Sequence, residues 1–122
     1  MDFLLKKFSI VTCLFISSLI FSEEWKISPS ATAQDDIQSA MILAQEGDTI
    51  SLAAGIYNLN HGLSLDVDNI TLKGEGHKKT ILNFSEQKTG AQGLLVTSNN
   101  ITLIDFAVEN AKGDAIKSKG SK

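Results

Sequence analysis

Among the polar side chains of this 122-residue chain, seven are worth weighing for acid–base or ligand chemistry: Asp66, Asp68, Glu75, His77, Asp105, Glu109 and Asp114. Two carboxyls held several ångströms apart can act as general acid and base in glycoside cleavage. Asp105, Glu109 and Asp114 could in principle supply such a pair. The plainer reading makes them solvated corner residues between short strands, and it is the one preferred. Asp66, Asp68, Asp105, Glu109 and Asp114 therefore stand as ligand-binding candidates, and no catalytic residue is assigned.

Other constellations are poorer. His61 occupies a turn between Asn60 and Gly62, and His77 lies in a glycine-rich loop. Two histidines and no cysteine beyond Cys13 leave too few ligands for a zinc centre, so no metal site is expected. Gly74-Glu75-Gly76 is followed by a strand pattern rather than a helix, which argues for a bend and against a phosphate cradle. The chain has no arginine, so planar two-point recognition of carboxylate or phosphate is closed to it. Beyond residue 22, nine lysines face thirteen acids, a balance unsuited to nucleic acid.

The first residues read as a separate segment. Lys6 and Lys7 precede a mostly apolar run from Ile10 to Phe21, about a dozen residues, where a membrane span needs roughly 20. Such a run after a basic start marks a secretory signal over 1–22, leaving no stable transmembrane segment after cleavage. The alternative is a retained N-terminal anchor. Cleavage after Ser22 has the usual spacing but a bulky Ile20 two residues before it. Ala31-Thr32-Ala33 has the right small residues but stands far from the apolar run. Thr12 before Cys13 is a poor context for lipidation. The expected location is periplasmic, cell-surface or extracellular.

The elements that must hold the candidates follow. Residues 23–33 are polar, contain the single Trp and single Pro, and read as a linker. Across 34–47, Ile37, Ala40, Met41 and Ala44 fall on one helical face, with Asp35 and Asp36 in the first turn and Gly47 as the stop. Beyond Gly47 come nine short strand patterns: 49–52, 56–59, 63–65, 70–72, 80–84, 94–96, 101–103, 106–108 and 115–117. No helical pattern separates them. "GLSLDVDNITL" at 62–72 and "GLLVTSNNITL" at 93–103 share six of eleven residues at an offset of 31. A repeat that preserves strand, bend and strand suggests stacked coils. Leu63 would lie over Leu94, Leu65 over Val96, Ile70 over Ile101 and Leu72 over Leu103. The polar stretch 85–93 would bulge out and lengthen the coil. Gly47, Gly62, Gly93, Asn69 and Asn100 are assigned structural roles, the two asparagines as a side-chain ladder between coils.

The stretches "GDTISLAAGIYNL", "NITLKGEG", "NITLIDFAVENAKGDAIK" and their neighbours resemble the start of right-handed parallel β-helix proteins, over about residues 36–120. The likeness is to exported bacterial β-helix repeat proteins of no established activity, and more distantly to the pectate-lyase-like group. It implies an all-β solenoid, a right-handed parallel β-helix whose short N-terminal helix caps the open end of the coil. Residues 48–122 would be its first coils, and the chain the N-terminal portion of a longer one. That group commonly uses an arginine base and acidic calcium ligands, and places catalytic groups on more central coils. With no arginine, that mechanism is absent here. The expectation is thus an exported binding or structural module for polysaccharide or a cell-surface partner, without cofactor. The alternative is the N-terminal part of a lyase, epimerase or hydrolase acting on acidic sugars, for which calcium would be the cofactor.

Overall fold

The computed structural model describes residues 21–120. The signal segment's Lys6, Lys7, Cys13 and nearly all of its apolar run lie outside them. Among the described residues the chain forms ten short strands and one helix: β1 (Glu24–Ile27), α1 (Ala33–Leu43), β2 (Thr49–Leu52), β3 (Gly55–Asn58), β4 (Leu63–Leu65), β5 (Thr71–Lys73), β6 (Thr80–Asn83), β7 (Leu94–Val96), β8 (Thr102–Ile104), β9 (Ala107–Glu109) and β10 (Ile116–Ser118). They make three sheets, ordered β1-β2-β5-β8, β3-β6-β9 and β4-β7-β10, and every pairing is parallel. From β2 onward the chain visits the three sheets in turn, three times over. This arrangement is compatible with a β-solenoid, as the sequence repeat suggests.

The expected stacks are present. Leu63 pairs with Leu94, Leu65 with Val96 and Leu72 with Leu103, while the Thr102 amide donates to the Ile70 carbonyl one step before. Alternation along each strand sends one side chain in and the next out. The inward set (Ile50, Leu52, Tyr57, Leu63, Leu65, Ile70, Leu72, Leu82, Leu94) forms one buried core with Ile37 and Met41 of α1. The helix therefore covers an end of the core with its single apolar face. The register offset is 22 residues from β2 to β5, 25 from β3 to β6 and 31 from β4 to β7. Only six of the nine extra residues thus belong to the 85–93 loop. The other three enter at the turn after β5. The loop is also less of a bulge than its polarity suggests, because Gln87 is buried within it. The Gln87 amide nitrogen donates to the Thr89 and Gln92 carbonyls, and its oxygen accepts from Lys112 N.

Three local expectations change. Residues 23–33 do not form a simple linker: Glu24–Ile27 is β1, paired in register with Thr49–Leu52. Its cue was the alternation of Trp25 and Ile27 with Glu24 and Lys26, hidden by nearby acids and Pro29. Gly47 does not stop the helix, which ends at Leu43 with Ala44 extended. Gly47 instead takes φ +95° at the corner leading into β2. The side-chain ladder is also elsewhere. Asn69 and Asn100 occupy matching corners, but as left-handed residues with φ 58° and 57°. Asn69 Nδ2 reaches Glu46 at 3.4 Å rather than Asn100. The amide ladder runs through Asn58, Asn83 and Asn110, with links of 3.0 and 2.8 Å.

Those corners explain two of the assigned glycines. Gly62 and Gly93 precede equivalent strands, and a Cβ on Gly93 would lie 2.7 Å from the Ala115 carbonyl and 3.0 Å from Phe84. At Asn69 the left-handed backbone costs a residue without a short polar side chain about 1–2 kcal/mol. Asn69→Ala is therefore expected to lower the melting temperature and Asn69→Gly to leave it within about a degree or two. Thermal unfolding by circular dichroism separates the cases, since an amide ladder at Asn69 would make both substitutions equally damaging.

Candidate functional site

The five ligand-binding candidates are distributed along the stack. Asp66 and Asp68 lie between β4 and β5, where each ties its circuit to the next. Thr97 Oγ1 donates to Asp66 Oδ1 at 2.6 Å, and Asn99 N donates to Asp68 Oδ1 at 2.8 Å. Their acceptor capacity is thus partly engaged in holding two corners together. Asp105, with φ 61°, forms the bend between β8 and β9, and its carbonyl accepts from Gly76 N. Glu109 ends β9, so it stands roughly 10–13 Å along the chain from Asp105. Asp114 lies in the turn before β10, 3.6 Å from Lys117 Nζ. No hydrogen bond among the described residues joins any two of the last three. Among the described residues, no three His, Cys, Asp or Glu side chains gather as a metal-ion site.

A different group of polar side chains does converge. On the outer surface of the four-stranded sheet, an open cleft of about 310 Å³ is lined by Glu24, Lys26, Ser51, Lys73 and Glu75 together with residues 52–53. In-register pairing puts Lys26, Ser51 and Lys73 side by side on β1, β2 and β5, about 4.8 Å from strand to strand. Ser51 Oγ donates to Glu24 Oε2 at 2.7 Å, and Lys26 Nζ lies 3.7 Å from Glu24 Oε1. The Ser51 hydrogen bond holds the Glu24 carboxyl below its ordinary value against desolvation, helped by the charges of Lys26 and Lys73. Glu24 is therefore an ionised acceptor rather than a proton donor at neutral pH. Glu75 accepts from the Ala54 amide and stands at the rim. Lys73 makes no ion pair among the described residues. The sequence signal for this row was faint, since it links positions 22 and 25 residues apart rather than a local motif.

Beneath the cleft, Tyr57 is wholly buried and donates its hydroxyl to the Ala53 and Ile27 carbonyls. Burial, with the nearby negative charge of Glu75, pushes its hydroxyl up to about 12. Tyr57 is a fixed donor that pins β1 and the end of β2, and not a base.

Among the described residues one acid is buried, and it lies at the next corner. Asp48 is 3% exposed and occupies the stack position held by Ile70 and Ile101 in later circuits. Its Oδ1 accepts from Glu23 N at 2.8 Å, while Oδ2 accepts from Gln45 N at 2.8 Å and Trp25 Nε1 at 3.1 Å. Desolvation by burial pushes its pKa up, but the amides of Glu23 and Gln45 and the Trp25 indole outweigh it and hold the carboxyl below its ordinary 3.8. This carboxylate turns the chain out of α1 and fastens β1 to β2. Comparison with known protein families, curated proteins and solved structures gives no match.

A depressed folded-state pKa contributes stability that is complete above the unfolded value and lost as pH falls through the folded one. Asp48→Asn should therefore destabilise the fold at pH 7 by about 1–3 kcal/mol, since an amide nitrogen would face two donors. It should also flatten the loss of stability below pH 3.8. Urea unfolding across that range is the check, and an undiminished acid slope in the variant would assign it to other carboxylates.

Proposed function

We propose that this chain belongs to an exported, right-handed parallel β-helix protein that binds acidic polysaccharide without transforming it. The right-handed sense follows from general chirality, because parallel crossovers take that hand in about 98% of cases. The surroundings of export, the periplasm or cell surface, are where such a ligand is met.

The observation that carries the binding role is the row Lys26–Ser51–Lys73 beside Glu24 in an open cleft. A uronate carboxylate seeks a cation, and Lys73 offers one that makes no direct ion pair among the described residues, although its charge also acts on Glu24. The ionised Glu24, held in place by Ser51, accepts from sugar hydroxyls. A cavity of this size takes about one sugar unit, and a shallow, open floor lets the polymer run on past it. In the same cleft Glu24 is an ionised acceptor, and beside it the Tyr57 hydroxyl is engaged by two carbonyls.

Titration calorimetry of the chain with oligogalacturonate and with a neutral oligosaccharide of equal length tests this directly. Binding should favour the acidic ligand, weaken with added salt, and fall about tenfold in Lys73→Ala. Equal binding of both ligands, or an unaffected Lys73→Ala, would contradict the assignment. Release of unsaturated uronate from the acidic ligand would replace binding with lyase chemistry.

A further inference from the structure

The geometry points to Ser22–Glu23 as a processing bond whose cleavage creates an internal ion pair, between the new Glu23 α-ammonium and the buried Asp48 carboxylate. The inference rests on the export reading for its cleavage step and on Asp48 alone for its consequence. Hydrolysis adds water across the peptide bond, giving Ser22 a carboxylate and Glu23 an amine that takes up a proton at neutral pH. A peptidase is the only reagent required.

Three observations support this position. First, the Glu23 nitrogen already sits 2.8 Å from Asp48 Oδ1, donating a single hydrogen bond as an amide. Freed, the same atom would carry a full charge in the same place, converting a neutral–ionic hydrogen bond into a charge-assisted pair. Second, this bond directly precedes β1, the first strand among the described residues. The Glu23 carbonyl accepts from Thr49 N, β1 starts at Glu24, and Phe21 and Ser22 before it are exposed, with Phe21 at 75%. A peptidase can reach this bond without opening a sheet. Third, the competing position fails structurally. Ala33 is 1% exposed and opens α1, so cutting after it would remove β1 from the sheet and leave Asp48 with Gln45 N alone.

The other charged groups around Asp48 are otherwise engaged. Glu24 and Lys26 of β1 pair with each other, and Glu24 also accepts from Ser51. Glu46 accepts from Asn69, and Asp36 of α1 accepts from Thr32. Asp35 shares the first turn of α1 with Asp36, at the opposite end of the helix from Gln45. Glu23's own side chain is exposed. Asp48 is then the carboxylate that meets the amine, and Trp25, the only tryptophan, bonds the same group and reports on it.

An amine paired in the fold has its pKa raised above the ordinary value of about 7.7–8.0. Its stabilisation is therefore complete below that value and lost as pH rises through the folded one. Two measurements test the inference separately. In the first, the full chain is exported by a bacterial host and its N-terminus is read by mass spectrometry. Glu23 is the expected first residue, and any other N-terminus overturns the processing step. In the second, the chain from Glu23 to Lys122 is released from a fusion partner and compared with its Nα-acetylated form, which keeps the N–H but not the charge. The free amine should raise the melting temperature by about 4–8 °C near pH 6. The advantage should vanish on alkaline titration, with a parallel change in Trp25 emission. Equal melting temperatures at pH 6, or a difference independent of pH, would overturn the ion pair.

Discussion

A stack of parallel strands must begin somewhere, and its first strand has no neighbour behind it. Every other backbone group in the stack is satisfied by the circuit before and the circuit after. At the start, the amides and carbonyls of the first circuit face outward, and its apolar interior is open at the end. The beginning of this chain is organised around that constraint. Each of the three sheets closes its first edge with different chemistry, and the cleft and the Asp48 corner are both products of the closure.

The four-stranded sheet gains an additional strand, β1, locked by Asp48 and Tyr57. The second is approached at β3 by Pro29, which packs on Gly55 so closely that a Cβ there would lie 2.5 Å from Pro29 Cγ. The third is closed by side chains. Gln38 of α1 meets Ser64 of β4 with a pair of bonds, Nε2 donating to the Ser64 carbonyl and Oε1 accepting the Ser64 amide, both at 3.0 Å. A carboxamide here imitates the backbone of the strand that is not there. One turn earlier, Gln34 Oε1 accepts from the Asn60 and His61 amides at 3.1 and 3.2 Å. The helix thus does two things at once. Its apolar face covers the core, and its two glutamines occupy an edge that would otherwise invite pairing with another chain. Adding β1 also brings Glu24 and Lys26 to the sheet surface, which is what makes the cleft.

Much of the architecture was legible because it is periodic. The strands at 49–52, 63–65 and 94–96 coincide with their apolar alternation, and the "NITL" repeat places Leu72 over Leu103. The left-handed corners at Asn69 and Asn100 are a property of Asn as a residue type, though the Asn69 amide reaches Glu46. What stayed hidden is non-local. β1 has only four residues and owes its existence to β2. Gln34 and Gln38 look like ordinary solvated helix residues until β4 is beside them. Asp48 reads as a turn acid because nothing local shows that it replaces an isoleucine. The Asn58–Asn83–Asn110 ladder joins residues whose spacings, 25 and 27, differ from the 31-residue repeat. The acids at 66 and 68 drew notice for their charge, whereas much of their work is to join two corners of the stack.

The edge closure by Gln38 is the feature open to the most direct test. The outward amide of an edge strand ordinarily exchanges freely with solvent, and in β4 that amide belongs to Ser64. Native-state hydrogen exchange followed by NMR at this residue reads the closure itself. The expected result is Ser64 protection at least roughly tenfold above the unfolded rate, lost in Gln38→Leu while the Leu63 amide, bonded to Gly93, stays protected. Rapid exchange of Ser64 in the native chain, or protection unchanged in Gln38→Leu, would contradict it.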